Sequence, residues 1–170
     1  FMRCLFRSCG LYLTSMLPVT DAFERGYDEA LLLDMDGRLA EGSGENLFVI
    51  KDGKIFTNKA DDSILMGITR DSAIEIAKVL GYEVEKRSLD LDDVLSADEA
   101  FFTGTAAEIT PIREVDGNVI GSGQRGEGTS QIQATFYERV NGSCPLFQKR
   151  PHPCQQFAVV HTPTKSGGTA

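Results

Sequence analysis

Three short stretches of this chain gather glycine and small polar residues where chemistry could be done. The first, "AEGSGEN", sets Glu41 and Glu45 beside glycines, where backbone can approach a ligand closely. Its bland alternative is a pair of solvated carboxylates next to a turn. The second, "LMGITRD", places Gly67 before a helix whose first N–H groups belong to Ile68 and Thr69. Such a helix start binds phosphate through unpaired N–H groups and the macrodipole. It is equally the form of a plain glycine entry into a helix. The third, "FFTGTAAEITP", ends an apolar run in Thr103, Gly104 and Thr105, then Ala106 and Ala107. Small residues there expose backbone N–H groups and hydroxyls suited to an oxyanion or a carboxylate. A tight turn without a ligand would read the same way.

Positioning these stretches requires strands and helices on either side. "DMDGRL" and "IKDGKIF" each set Asp-Gly between apolar runs, a strong hairpin signal, so residues 30–59 are expected to be β structure. "GITRDSAIEIAKVLGYEV" carries Ala73, Ile76, Ala77 and Leu80 at helical spacing, with Thr69 as the expected N-terminal cap and Gly81 as the stop. "YEVEKRSL" alternates like a strand, "DLDDVLSA" begins an acidic helix, and "DEAFFTGT" reads as a buried strand. "ITPIREVDGNVIGSG" reads as a further Asp-Gly hairpin. "GEGTSQIQATFYERVNG" reads as a last helix with Ile132, Phe136 and Val140 on one stripe. The order implies a mixed α/β domain of α+β-like layers without a regular βαβ series.

Composition narrows the class. With 41% hydrophobic and 25% charged residues over 170 positions, the chain can bury a core, and no apolar run nears the ~20 residues of a membrane span. A net charge of −8, with no basic patch, points away from nucleic acid and anionic membranes. All 25 acidic residues lie between Asp21 and Glu138, whereas Cys4, Cys9, Cys144 and Cys154, four of the six prolines and both histidines lie in the flanks. The middle reads as one cytosolic domain and the ends as different material. The cysteine spacing matches no zinc pattern. The basic, then apolar start "FMRCLFRSCGLYLTSMLP" looks like a signal peptide, or like the altered front of something longer.

Taken in order, "EGSGENLFVIKDGKIFT", "LMGITRDSAIEIAKVLG", "ADEAFFTGTAAEITPI" and "VDG…IGSGQRGEGT" resemble the branched-chain amino acid aminotransferases, pyridoxal-phosphate enzymes of fold type IV. The resemblance runs from about Gly10 to Gly142. It implies the large, cofactor-binding domain over residues 10–142, a divergent edge over 1–9, and a tail from 143 to 170 whose default is disorder or a shifted reading frame.

The family implies roles for particular residues. Glu41 matches the acid paired with the pyridine nitrogen of pyridoxal 5'-phosphate, and Leu65 the residue packed on the ring. Ile68, Thr69 and Thr105 match the phosphate contacts. Thr105 and Ala106 fall where backbone N–H groups meet the substrate carboxylate. Tyr12 matches the tyrosine that hydrogen-bonds the ring hydroxyl, which favours "GLYLTS" as a cofactor-side segment over a signal peptide. The implied reaction moves the amino group of leucine, isoleucine or valine to 2-oxoglutarate, in a cytoplasmic homodimer acting on amino acids and 2-oxo acids.

Two departures bear on activity. Arg7 stands at the Schiff-base lysine position, and no lysine precedes Lys51. A guanidinium stays protonated and offers no free amine. Nothing matches the family's small N-terminal domain either, so the chain is expected to be inactive alone. The alternatives are a non-catalytic cofactor-binding or fold-only fragment, or a relative of the D-amino acid aminotransferases or aminodeoxychorismate lyases.

Overall fold

The computed structural model describes residues 12–147. In chain order these form α1 (Tyr12–Glu24), β1 (Leu31–Leu33), β2 (Leu39–Gly42), β3 (Asn46–Lys51), β4 (Lys54–Thr57), α2 (Ile68–Val79), β5 (Glu83–Lys86), α3 (Leu91–Leu95), β6 (Glu99–Gly104), β7 (Glu108–Ile112), β8 (Glu114–Val115), β9 (Asn118–Val119) and α4 (Glu127–Val140). Asp52 and Gly53 both take positive φ, +50° and +72°. That turn matches the twist of two flanking strands and closes β3 onto β4 as the Asp-Gly signal predicts.

A five-stranded sheet in the order β5-β4-β3-β6-β7 forms the middle layer. The β4–β5 pair is parallel, with α2 as its crossover, and the other pairs are antiparallel. Because successive side chains alternate across a strand, β3 feeds two cores. Phe48 and Ile50 join Phe101, Ile76, Ala77, Ile132 and Phe136 beneath α2 and α4. Leu47 and Val49 join Leu39, Leu89, Val94, Phe102 and Ile120 on the opposite face. The result is the mixed layered α/β architecture that the sequence implies.

Several details differ from expectation. The cap of α2 is Gly67, extended at φ −73° and ψ 143°, and it makes no side-chain cap bond. Thr69 lies inside the first turn, so its hydroxyl is not the cap. Gly81, at φ +92°, does end this helix, as expected. Val140 is 63% exposed and leaves the stripe of Ile132 and Phe136. The segment "ITPI" pairs with β6 as an edge strand, which tolerates Pro111, and only β8 and β9 form the Asp116-Gly117 hairpin.

The sequence reading places no element over α1. Pro18 inside it and the exposed Met16, Leu17 and Phe23 hide any helical stripe. At the other end, two residues beyond α4 join the core side of the sheet. Cys144 is buried, Phe147 packs on the helix-side core, and the Arg139 guanidinium lies 4.2 Å from the Phe147 ring centroid.

Candidate functional site

The half-buried Glu41 sits on β2 and is tied to a segment 24 residues away. The Leu65 N–H donates to its Oε2 at 2.8 Å, and Asn46 Nδ2 donates to the same oxygen at 3.2 Å. Asn46 Nδ2 also donates to the Leu65 carbonyl at 2.7 Å. These bonds tie the ends of "AEGSGEN" to the start of "LMGITRD". Two N–H donors thus converge on one oxygen of the Glu41 carboxylate.

Leu65 leads through Gly67 into α2. Ile68 is 86% exposed and Thr69 half-buried, so this helix start faces outward. Its first N–H groups have no intrahelical acceptor, the arrangement that suits a phosphate. Directly beneath, Arg70 is fully buried; its Nη2 donates to the Asn58 carbonyl at 2.5 Å, and its Nη1 lies 3.4 Å from Asp71. Burial pulls this guanidinium below its usual value. Its role is to anchor the loop after β4 under the helix start.

Thr105 and Ala106 occupy the exposed turn between β6 and β7. Gly104, just before it, packs against the first stretch: a Cβ there would lie 3.2 Å from Glu45 Cγ and 3.3 Å from the Gly44 carbonyl oxygen. Glu45 holds that loop from within, accepting from the Gly44 N–H at 3.0 Å. Burial raises the Glu45 carboxyl above its ordinary value, and the Glu29 and Glu41 carboxylates add to the rise. The structure therefore brings Glu41 and Leu65 into contact, sets Ile68 and Thr69 one turn onward, and docks the strand end before Thr105 against the loop after Glu41. Tyr12 begins α1, but its side chain lies outside the described residues, as does Arg7.

Among the described residues no group of His, Cys, Asp or Glu is placed to hold a metal ion, and no helix is long and apolar enough to cross a membrane. Asn46 and Arg70 were not singled out by sequence. Asn46 ends the "GEN" triplet, and its only sequence signal is a polar residue opening the apolar run "LFVI". Arg70 looks like an ordinary helix-surface cation.

The helix start of α2, the tethered Glu41 carboxylate and the turn before β7 thus share one region of the fold. A family model described as amino-transferase class IV matches residues 7–115, and the chain belongs to that family. Its relatives are more specific. The branched-chain-amino-acid aminotransferase of Pseudomonas aeruginosa is 48% identical over 136 residues, covering 80% of this chain and 44% of that protein. The Escherichia coli K12 enzyme of the same name is 47% identical over 133 residues, covering 78% of this chain and 43% of that one. Among solved structures, the branched-chain aminotransferase of the thermophilic archaeon Thermoproteus uzoniensis with norvaline superposes with a TM-score of 0.76 at 46% identity, covering 79% of this chain and 44% of that one. The fold is fold type IV, and the chain spans less than half the length of the relatives it matches.

Proposed function

We propose that this chain holds pyridoxal 5'-phosphate in the manner of a branched-chain amino acid transaminase. The observation that carries the reading is the Glu41 carboxylate fixed by the Leu65 N–H at 2.8 Å, two residues before the cap of a helix with no side-chain cap bond. The residues present fit such a group: an acid for its ring nitrogen at one end and unpaired helix-start N–H groups for its phosphate at the other.

In this reading Glu41 would pair with the pyridine nitrogen and keep it protonated. The N–H groups of Ile68 and Thr69, with Thr105, would hold the phosphate, Leu65 would pack against the ring, and Tyr12 corresponds to the family's partner for the ring hydroxyl. The N–H groups of Thr105 and Ala106 orient the substrate carboxylate. The cofactor, when bound, acts as an electron sink for charge developing at the substrate Cα. The family reaction is amino transfer from leucine, isoleucine or valine to 2-oxoglutarate, and we assign it to a homodimeric, cytoplasmic enzyme. Arg7 supplies no amine at the position of the family's lysine. This chain therefore holds the cofactor without a covalent bond and does not turn over leucine by itself.

Mixing the protein with pyridoxal 5'-phosphate tests the reading. Dialysis should remove the cofactor's absorbance from the protein, with and without prior borohydride treatment. A stoichiometric covalent label after borohydride, or leucine transamination by the chain alone, contradicts non-covalent holding. No spectral change at all contradicts cofactor binding.

A further inference from the structure

Asn46 is only 6% exposed, and its amide faces three elements at once. Nδ2 donates to Glu41 Oε2 on β2 and to the Leu65 carbonyl, both acceptors, which fixes the amide orientation chemically. Oδ1 points to the cap of α2: a Cβ on Gly67 would lie 2.3 Å from it. Through its backbone Asn46 pairs with Thr103, two residues before Thr105. One side chain thus touches the carboxylate expected at one end of the cofactor and the helix start expected at the other.

We propose that Asn46 is a positioning residue: it fixes the plane of the Glu41 carboxylate relative to the N-terminus of α2, so that ring nitrogen and phosphate are gripped together. The inference rests on the role given to Glu41 under the proposed function. Leu65 and Asn46 supply two donors to one oxygen from different directions, and a carboxylate so held has little rotational freedom to lose when it pairs with a ring. Gly67 must be glycine for the same reason, since the Asn46 amide occupies the space of its side chain. Loss of Nδ2 removes one donor from the Leu65 carbonyl and one from the Glu41 carboxylate.

The test is isothermal titration of the full chain with two probes: pyridoxamine 5'-phosphate, and benzyl phosphate, which has a phosphate and a ring but no ring nitrogen. The wild-type chain should prefer pyridoxamine 5'-phosphate. Asn46→Asp keeps shape but replaces the donor, and Asn46→Ala removes it without adding charge. In both, the preference should fall about tenfold, the scale of one hydrogen bond to a charged group, while benzyl phosphate affinity changes less than about twofold. Circular dichroism shows which variants fold, and either one decides. An unchanged preference in a folded variant, or parallel loss of both ligands, overturns the positioning role. A wild-type chain with no preference overturns the role of Glu41 and this inference with it, a result distinct from the other two.

Discussion

Asn46 Oδ1 and the backbone of Gly67 approach so closely that a methyl group on residue 67 would sit 2.3 Å from the amide oxygen. Neither partner can yield freely, because Asn46 Nδ2 is already committed to Glu41 and Leu65.

Gly67→Ala should therefore destabilise the fold by about 1–3 kcal/mol, the usual range for overpacking a tight site. In an Asn46→Ala background most of that cost should vanish, because the obstructing oxygen is gone. Urea unfolding of the two single variants and the double variant measures the coupling. Additive costs would contradict the contact.

Glu45 gives a pH signature. Its carboxyl is raised by burial and by its acidic neighbours, so the fold favours the protonated form. Its contribution is fully present below the unfolded value and is lost as pH rises through the raised folded value. Glu45→Gln should match the wild type at about pH 4 and melt higher than it at about pH 7 to 8. Thermal unfolding across that range checks the sign; a variant that loses stability relative to wild type as pH rises would refute it.

Asp93 should act in the opposite sense. Arg87 donates to it from both terminal nitrogens, at 2.6 and 2.8 Å, and holds its carboxyl below the ordinary Asp value. That stability is present above the unfolded value near 3.8 and lost as pH falls through the folded value. Asp93→Asn should be less stable than wild type at about pH 6, with the gap closing below about pH 3. Chemical denaturation at a series of pH values tests this, and a constant gap would count against it.

At the start of α4 a distant side chain performs the capping. Glu99 on β6 accepts from the Gly128 and Thr129 N–H groups at 3.0 and 2.8 Å. Glu99→Ala should cost about 1–3 kcal/mol, and Glu99→Gln, which keeps an acceptor, about half as much. Equal unfolding midpoints for all three proteins would remove Glu99 from that role.

What the sequence discloses and what it hides follow one physical division. Local signals were legible: Asp52-Gly53 specifies its hairpin, and Ile132 and Phe136 mark the buried side of α4. Glu41, Leu65, Ile68 and Thr105 could be named through the family resemblance. Their joining could not be read, because it runs through bonds between residues far apart in sequence, such as Leu65 N–H to Glu41. Arg70 is hidden for the same reason: the carbonyl of Asn58, brought in by the loop after β4, and neighbouring Asp71 make its burial tolerable. Pro18 masks α1 by interrupting the pattern that betrays a helix.

The most direct measurement of the central claim is the affinity of the full chain for pyridoxamine 5'-phosphate, set beside that of its Glu41→Gln variant. If the Glu41 carboxylate pairs with the ring nitrogen, the wild-type chain binds and the variant binds at least about tenfold more weakly, with benzyl phosphate affinity unchanged. Equal affinity of the two proteins for pyridoxamine 5'-phosphate, or no binding by the wild type, would contradict it.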